Sequence, residues 1–204
     1  MKYLFVGAHP DDIEYSCGGT ILRLIDEGHD VRIVLMTNGG AATNGDVVER
    51  KTEQMKAAAF ANVKYLSMLG HRDGYITVTS RTISEIARIL NSIEPDIVVT
   101  HYPQDSHQDH RSTAQIVKSA ARRKYSIWYF DSYSSIDFKP NLYMCIDKYI
   151  QGKVELLRCF ESQISKYQSR GVDFIRKSII TNETNGYESK CHFAEGFAID
   201  TYII

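Results

Sequence analysis

Short apolar runs rich in β-branched residues recur through the first two thirds of the chain. They cover residues 3–7, 31–37, 63–68, 97–101 and 127–130. Their nearly continuous hydrophobicity is typical of strands that helices cover on both faces. Segments of helical periodicity separate the runs, and this alternation is the pattern of βαβ units. The sequence therefore predicts an α/β fold with a mostly parallel central sheet flanked by helices.

Helices are predicted between these strands at residues 19–27, 47–61 and 84–93, where apolar side chains recur at helical spacing. Gly28 is placed to end the first of these helices in a left-handed turn, and Pro95 stops the third.

After the fifth run the pattern changes. A loop around residues 139–141 leads to two predicted helices, at about 148–168 and about 172–180, and to an edge strand ending at Ile204. We expect this part to form a C-terminal α/β extension packed on the core. Because no linker, repeat or low-complexity tract interrupts the chain, we predict a single domain over residues 1–204.

Composition excludes several classes of protein. The chain of 204 residues has 43% hydrophobic and 24% charged residues, which is typical of a soluble globular domain. The net charge is -1 and basic runs are short, so we expect no nucleic-acid partner. The four cysteines, Cys17, Cys145, Cys159 and Cys191, are scattered without a C-x-x-C pair, which predicts neither a cysteine zinc site nor a disulfide scaffold. We expect a cytoplasmic protein without a membrane span, since the N-terminal apolar stretch is too short for one.

Two polar clusters follow two of the predicted strands. His9, Asp11 and Asp12 come directly after residues 3–7, and the second cluster occupies residues 101–110, directly after the strand at 97–101. In open α/β sheets, ligands bind beyond the carboxyl ends of the strands, where the strand order reverses. If these are the first and fourth strands of a doubly wound sheet, the two clusters face each other.

The clusters contain the ligands that a catalytic zinc ion prefers. Such an ion takes three protein ligands from His and Asp or Glu, and His9, Asp12 and His110 satisfy this rule. Zinc bound there would lower the pKa of a water molecule from about 15.7 to about 7. We therefore predict one zinc ion per chain and a hydrolytic reaction.

The remaining polar residues of the clusters suit proton transfer. Asp11 is free to accept the proton of water as general base. His107 is close enough in sequence to His110 to stabilise a tetrahedral oxyanion or to protonate a leaving amine. Asp109 is predicted to fix the tautomer of that histidine through its carboxylate.

Structural roles are also open for these residues. Residues 9–12 could form a capped turn between a strand and a helix, and Asp109 could cap a helix that begins near Arg111. Another alternative is a non-catalytic nucleotide or sugar binder in which Gly18 and Gly19 hold a phosphate at a helix start, although the G-x-G-x-x-G fingerprint is absent. The coincidence of two His/Asp clusters at equivalent strand ends favours the metal site.

The two motifs resemble those of the PIG-L and LmbE-like N-acetylglucosaminyl deacetylases. The first match is Ala8-His9-Pro10-Asp11-Asp12 followed by Gly18-Gly19-Thr20, and the second is His107-Gln108-Asp109-His110. The resemblance implies a Rossmann-like fold, zinc held by His9, Asp12 and His110, Asp11 as general base, His107 as oxyanion ligand and Asp109 as its support. It also implies a small N-acetylated sugar as substrate, from which hydrolysis releases acetate and leaves a free amine. The resemblance allows a trimer or hexamer. A non-sugar amide stays open as an alternative substrate.

Weaker matches extend along the chain. We assign Arg50, Asp73 and His101 to substrate contact, although Arg50 could be an exposed helix charge and Asp73 a turn former before Gly74. Further matches are Glu53, Gln54, Lys153, Ser162-Gln163 and Ala194-Glu195-Gly196-Phe197. Ile13 replaces the Glu that many members carry, and Asp105 stands where some members carry a tyrosine. Specificity is expected from loops at residues 38–46, 69–76 and 133–143.

Overall fold

A seven-stranded sheet organises the protein in the computed structural model, which describes residues 1–41 and 46–203. The strands are β1 (Lys2–Gly7), β2 (Asp30–Thr37), β3 (Tyr65–His71), β4 (Ile97–His101), β5 (Ser126–Phe130), β6 (Leu142–Cys145) and β7 (Ala194–Thr201). The helices are α1 (Asp12–Asp26), α2 (Val47–Phe60), α3 (Ser80–Ile93), α4 (Gln108–Ala121), α5 (Ile150–Arg158), α6 (Glu161–Gln168) and α7 (Phe174–Ser189). None of these helices is long and apolar enough to cross a membrane.

The strand order is β3-β2-β1-β4-β5-β7-β6, and β1 to β5 run parallel. Successive side chains of β1 enter opposite hydrophobic clusters, with Tyr3 and Phe5 on one face and Leu4 and Val6 on the other. This burial on both faces explains the continuous apolar runs in the sequence. The α/β prediction is confirmed, and the order reverses between β1 and β4, where the two polar motifs were expected to meet.

The C-terminal part differs from the prediction in its details. The predicted edge strand is β7, which lies inside the sheet and pairs antiparallel with both β5 and β6; its predicted end, Ile204, lies outside the described residues. The edge is instead β6, which the sequence did not indicate because its four residues are only partly buried. The helix predicted near 148–168 is divided into α5 and α6 at Phe160, whose backbone is not helical (φ = -100°, ψ = 57°) and whose side chain is fully buried in the core.

Helix α1 begins seven residues before its predicted start, so Gly18 and Gly19 lie inside the helix. A Cβ atom on Gly19 would lie 2.6 Å from Ile146 Cδ1, so the glycine permits close packing at this point. The backbone N–H groups of Gly19 and Thr20 donate to the Glu195 carboxylate, with N···O distances of 3.0 and 2.6 Å. These amides are therefore occupied, and they do not form the phosphate site considered from the sequence.

The same Glu195 carboxylate pairs with Lys153 in the interior. Lys153 Nζ lies 2.6 Å from Glu195 Oε1, and the two side chains are 1% and 0% exposed. Removing one partner of such a pair leaves a buried charge without compensation, which is strongly destabilising. This ion pair joins α5 and β7 to the middle of α1, and so connects the C-terminal extension to the core.

We expect Lys153→Met to lower the free energy of unfolding by about 3–5 kcal/mol, because Glu195 would lose its buried counter-ion. Urea unfolding followed by circular dichroism measures the change. Lys118→Met is the matched control, since the 2.7 Å pair between Lys118 and Asp200 lies near the surface and should contribute less than about 1 kcal/mol. Equal losses in the two variants would contradict the role given to the buried pair.

Candidate metal and catalytic site

A cavity of about 220 Å³ opens beyond the carboxyl ends of β1 and β4. Its lining residues are His9, Asp11, Asp12, Ala41, Arg50, Asp73, Gly74, His107, His110, Tyr133, Gln163, Lys166 and Tyr167. Two larger grooves, of about 570 and 670 Å³, contain none of the residues predicted for the site. The sheet thus brings the two sequence motifs together, as their positions after β1 and β4 predicted.

His9, Asp12 and His110 face one another at the bottom of this cavity. His9 Nδ1 lies 3.2 Å from Asp12 Oδ2, and His110 Nε2 lies 3.3 Å from Asp12 Oδ1. One ligand atom from each residue lies within 4.8 Å of the other two, and all three side chains are buried. Two imidazoles and a carboxylate at this separation fit the ligand set of a catalytic zinc ion, which leaves a position for water.

The charges of the cluster favour a cation. Although burial opposes the charged imidazole, the Asp12 and Asp109 carboxylates raise the pKa of His9 well above its ordinary value. Burial also opposes charge on His110, yet the Asp12 and Asp105 carboxylates raise its pKa to about 9. Against the effect of burial, the two histidines hold the pKa of Asp12 well below its ordinary range. The carboxylates therefore stabilise positive charge at the position where a metal ion would bind.

The Asp105 carboxylate contacts His110, a predicted metal ligand, on the side away from Asp12. Its carboxylate lies 3.1 Å from His110 Nδ1 and accepts hydrogen bonds from the Ser132 and Ser134 hydroxyls and from the His107 backbone N–H. Because these donors fix the carboxylate, the proton of neutral His110 is placed on Nδ1, and Nε2 is left toward Asp12. Such outer carboxylates orient a ligand and raise its basicity. Asp105, for which the sequence assigned no role, is thus a positioning residue.

Asp109 holds a different partner from the one predicted. Its carboxylate accepts the backbone N–H groups of Gly74 and Ile76, at 2.7 and 3.1 Å, and lies 3.1 Å from His9 Nε2. The predicted contact between this carboxylate and the His107 ring is therefore corrected. Asp109 also makes no cap for α4, because the carboxylate is turned toward the loop after β3.

His107 receives its hydrogen bond from the backbone. The Asp109 N–H donates to His107 Nδ1 over 3.2 Å, so the proton of the neutral ring lies on Nε2. Burial and the nearby charge of His110 lower the pKa of His107, which favours this neutral form. The ring stacks on His110 with centroids 4.5 Å apart and lines the cavity. An N–H donor of a neutral imidazole is consequently available to a ligand there.

Asp11 occupies the N-cap position of α1 without acting as a cap. Its side chain makes no capping hydrogen bond, and its backbone has φ = 89°, in the left-handed region. A non-glycine residue in such a conformation costs roughly 1–3 kcal/mol and is concentrated at functional sites. Arg50 Nη2 lies 3.3 Å from Asp11 Oδ1 and also donates to the Pro10 carbonyl. The alternative of a simple capped turn is therefore not supported.

The pKa of the Asp11 carboxyl is shifted toward neutral pH. Burial raises its pKa to about 6, against the opposing charge of Arg50. A base is most effective when its pKa lies near the working pH, since it is then both ionised and basic.

The three residues assigned to substrate contact have different environments. Arg50 and Asp73 line the cavity, but Asp73 Oδ1 also lies 3.1 Å from His9 Nε2. His101 is fully buried and is not part of the lining. Its Nε2 accepts the Ala8 N–H at 3.0 Å, and its ring stacks on His110 with centroids 4.0 Å apart. The structure therefore places His101 against the His110 ring and outside the cavity lining, so its assignment to substrate contact is corrected.

The structure adds residues that the sequence did not single out. Lys166 and Tyr167 on α6 line the cavity next to Tyr133, which begins the expected specificity loop at residues 133–143. The only signal in the sequence was the family match at Ser162-Gln163, one helical turn earlier. Of the expected specificity loops, residues 42–45 lie outside the described part of the chain, whereas Ala41, Asp73 and Tyr133 place the three loops at the cavity.

A second group of possible metal ligands lies elsewhere. The side chains of Cys145, Asp147 and Cys191 approach one another within 4.8 Å, although the cysteines are far apart in sequence. The Asp147 carboxylate accepts the Phe193 N–H at 2.7 Å, so it already serves the connection into β7.

A parallel α/β sheet with a His/Asp cluster, a tuned carboxyl and an imidazole donor at its switch point is typical of metal-dependent hydrolases. The family described as "PIG-L: GlcNAc-PI de-N-acetylase" matches residues 4–121. The chain belongs to this family, and it is a hydrolytic enzyme that acts on N-acetyl amides.

Relatives of known name agree with this assignment. The chain is 29% identical over 186 residues to diacetylchitobiose deacetylase of Thermococcus kodakarensis, covering 79% of this chain and 70% of the relative. It is 25% identical over 185 residues to a probable N-acetyl-alpha-D-glucosaminyl L-malate deacetylase of Bacillus anthracis, covering 79% and 81%. The fold matches a conserved protein from Thermus thermophilus with a TM-score of 0.88 and 20% identity, over 100% of this chain and 96% of that one.

We expect Asp105→Asn to weaken zinc binding by about 10- to 100-fold, because the amide cannot hold the Nδ1–H tautomer of His110 as a carboxylate does. Competition with a chelator of known affinity measures the change, and circular dichroism checks the fold. Asp200→Asn, at the surface pair with Lys118, is the control and should bind zinc normally. An unchanged affinity in Asp105→Asn would show that this contact does not position the ligand.

Proposed function

We propose that this protein is a zinc-dependent N-deacetylase of N-acetylglucosamine-type sugars or sugar conjugates, which releases acetate and a free amine. The observation that carries the proposal is the Asp11 carboxyl, which is released from helix capping and lies in the same cavity as His9, Asp12 and His110. The relatives support the class of substrate, since both named enzymes act on N-acetylated glucosamine compounds.

His9, Asp12 and His110 would hold the zinc ion, and Asp105 and Asp109 would orient the two histidines. Zinc in such a site supplies Lewis acidity, which polarises a carbonyl oxygen and lowers the pKa of water to about 7. The remaining steps fall to side chains of the chain itself.

Asp11 would accept a proton from the water that attacks the acetyl carbonyl. Its pKa of about 6 leaves it mostly ionised at neutral pH and still basic enough for the task. Arg50 restrains one carboxylate oxygen, so the carboxylate is oriented before the substrate binds. When the C–N bond breaks, the same proton would pass from Asp11 to the leaving amine nitrogen, which balances the hydrolysis.

His107 would stabilise the oxyanion that forms during the attack. Its Nδ1 is occupied by the Asp109 N–H, so the Nε2–H is the donor available in the cavity. A preorganised donor of this kind makes its strongest interaction in the transition state.

Other expectations remain predictions. They are the single domain over residues 1–204, the cytoplasmic location and the trimeric or hexameric assembly.

We expect Asp11→Asn to retain about one zinc ion per chain and to lose about 10²- to 10⁴-fold in kcat, because the amide cannot accept the proton. Acetate release from N-acetylglucosamine conjugates and metal analysis of the same sample measure the two quantities. Asp26→Asn, at the other end of α1, should behave like the unmodified protein. Full activity in Asp11→Asn, or protein that binds no zinc, would contradict the proposal.

His107→Ala should lower kcat by about 10²- to 10³-fold with little change in zinc content, because one oxyanion donor is lost. The neighbouring Gln108→Ala removes only an exposed hydrogen bond to the Gly74 carbonyl and serves as control. If the two variants have the same kcat, the imidazole has no part in the transition state.

A further inference from the structure

The cavity has a buried floor and a more open rim. His9, Asp12 and His110 on the floor are 7%, 8% and 1% exposed, whereas Tyr133 at the rim is 45% exposed. The volume of about 220 Å³ is below the roughly 300 Å³ at which pockets for drug-sized ligands begin. There is consequently room for one acetamido sugar at the floor. Any group attached to that sugar has to extend out of the cavity past the rim.

Lys166 is a cation at this rim that forms no ion pair with a described carboxylate. It belongs to the last turn of α6, is partly buried and lines the cavity. Within residues 1–41 and 46–203 its ammonium makes no hydrogen bond and no ion pair, and its recorded contact is with the Tyr167 ring, 5.7 Å from Nζ to the centroid. Residues 42–45 contain no acidic side chain that could supply a partner.

The other cation of the cavity is already engaged. The Arg50 guanidinium donates to the Pro10 carbonyl, to Asp11 and to Glu53. Its Nε, which has no hydrogen-bond partner among the described residues, is buried rather than directed to solvent. Lys166 is thus the free cation of the described lining. Burial also lowers the pKa of the Lys166 ammonium, while the Asp11 and Asp73 carboxylates of the same cavity act in the opposite direction.

We propose that Lys166 forms a subsite for an anionic group, a phosphate or a carboxylate, carried by the sugar conjugate on the side away from its acetamido group. The subsite rests on the proposed function and defines its substrate class more narrowly. A partly desolvated ammonium gains more from an anionic oxygen than from a hydroxyl, because hydrogen bonds between charged groups are roughly twice as strong. The ammonium is a compact charge with rotatable donors, so it serves phosphate and carboxylate alike.

A purely structural role makes a different prediction. A lysine in the last turn of a helix interacts favourably with the helix dipole, and its stem can cover an aromatic ring. Either role would affect stability, but neither would distinguish a charged substrate from a neutral one.

The test compares three derivatives of N-acetylglucosamine that differ at the anomeric oxygen: the methyl glycoside, the carboxymethyl glycoside and the 1-phosphate. In the unmodified protein we expect kcat/KM to be about tenfold or more higher for at least one anionic compound than for the methyl glycoside. Lys166→Gln should remove this preference by raising KM for the anionic compounds. Its kcat/KM for the methyl glycoside should stay within about twofold of the unmodified value. The two anionic compounds show whether phosphate or carboxylate is the natural group.

Lys177→Gln is the matched control. Lys177 Nζ lies 5.4 Å from the centroid of the Tyr133 ring, but Lys177 is exposed and does not line the cavity. The control should retain the preference for anionic substrates, and Lys166→Arg should retain most of it.

Two kinetic results would overturn the subsite: a wild-type enzyme with no preference for the anionic compounds, or a Lys166→Gln variant that loses the same factor on all three. If the unmodified protein hydrolyses none of them, the proposed function fails. Calorimetric titration of the zinc-loaded protein with glucosamine 1-phosphate and methyl glucosaminide then tests the anion subsite by itself. Tighter binding of the phosphate that is lost in Lys166→Gln supports it, and equal binding by both proteins rules it out.

Discussion

The Asp12 carboxylate lies between the imidazoles of His9 and His110, and the rest of the site is arranged around this contact. A buried carboxylate needs a compensating positive charge, and each of the two buried imidazoles needs a partner for the nitrogen that faces the carboxylate. A metal ion would satisfy both demands, because all three groups are possible ligands of one ion. The position of Asp12 as the first residue of α1 places it directly beyond β1, and His110 reaches it from the start of α4.

An outer layer of residues fixes this centre. Asp105 holds His110 and Asp109 holds His9, while the serines after β5 and the loop after β3 hold the two carboxylates. Each imidazole therefore has one nitrogen committed to a carboxylate and the other directed inward. This arrangement requires the loops that follow β1, β3, β4 and β5, which meet at the carboxyl edge of the parallel strands.

Catalysis and specificity are assigned to different parts of the chain. The residues proposed for the chemistry follow β1 and β4, in the region matched by the family. The wall with Lys166 and Tyr167 comes from α6, outside that region. Because the buried Lys153–Glu195 pair joins the C-terminal extension to α1, the wall is attached to the same helix that carries Asp12.

The sequence by itself determined the parallel sheet, the approximate positions of five strands, and the meeting of the two polar motifs beyond β1 and β4. It could do so because doubly buried strands require continuous apolar runs, and because His9, Asp11 and Asp12 are adjacent in the chain. Tertiary structure decided the outer partners: Asp109 faces His9, Asp105 faces His110, and His101 supports that ligand from behind. It also decided the edge position of β6 and the free charge of Lys166. These features depend on which side chains meet across long separations in sequence, and no local pattern of polarity records such contacts.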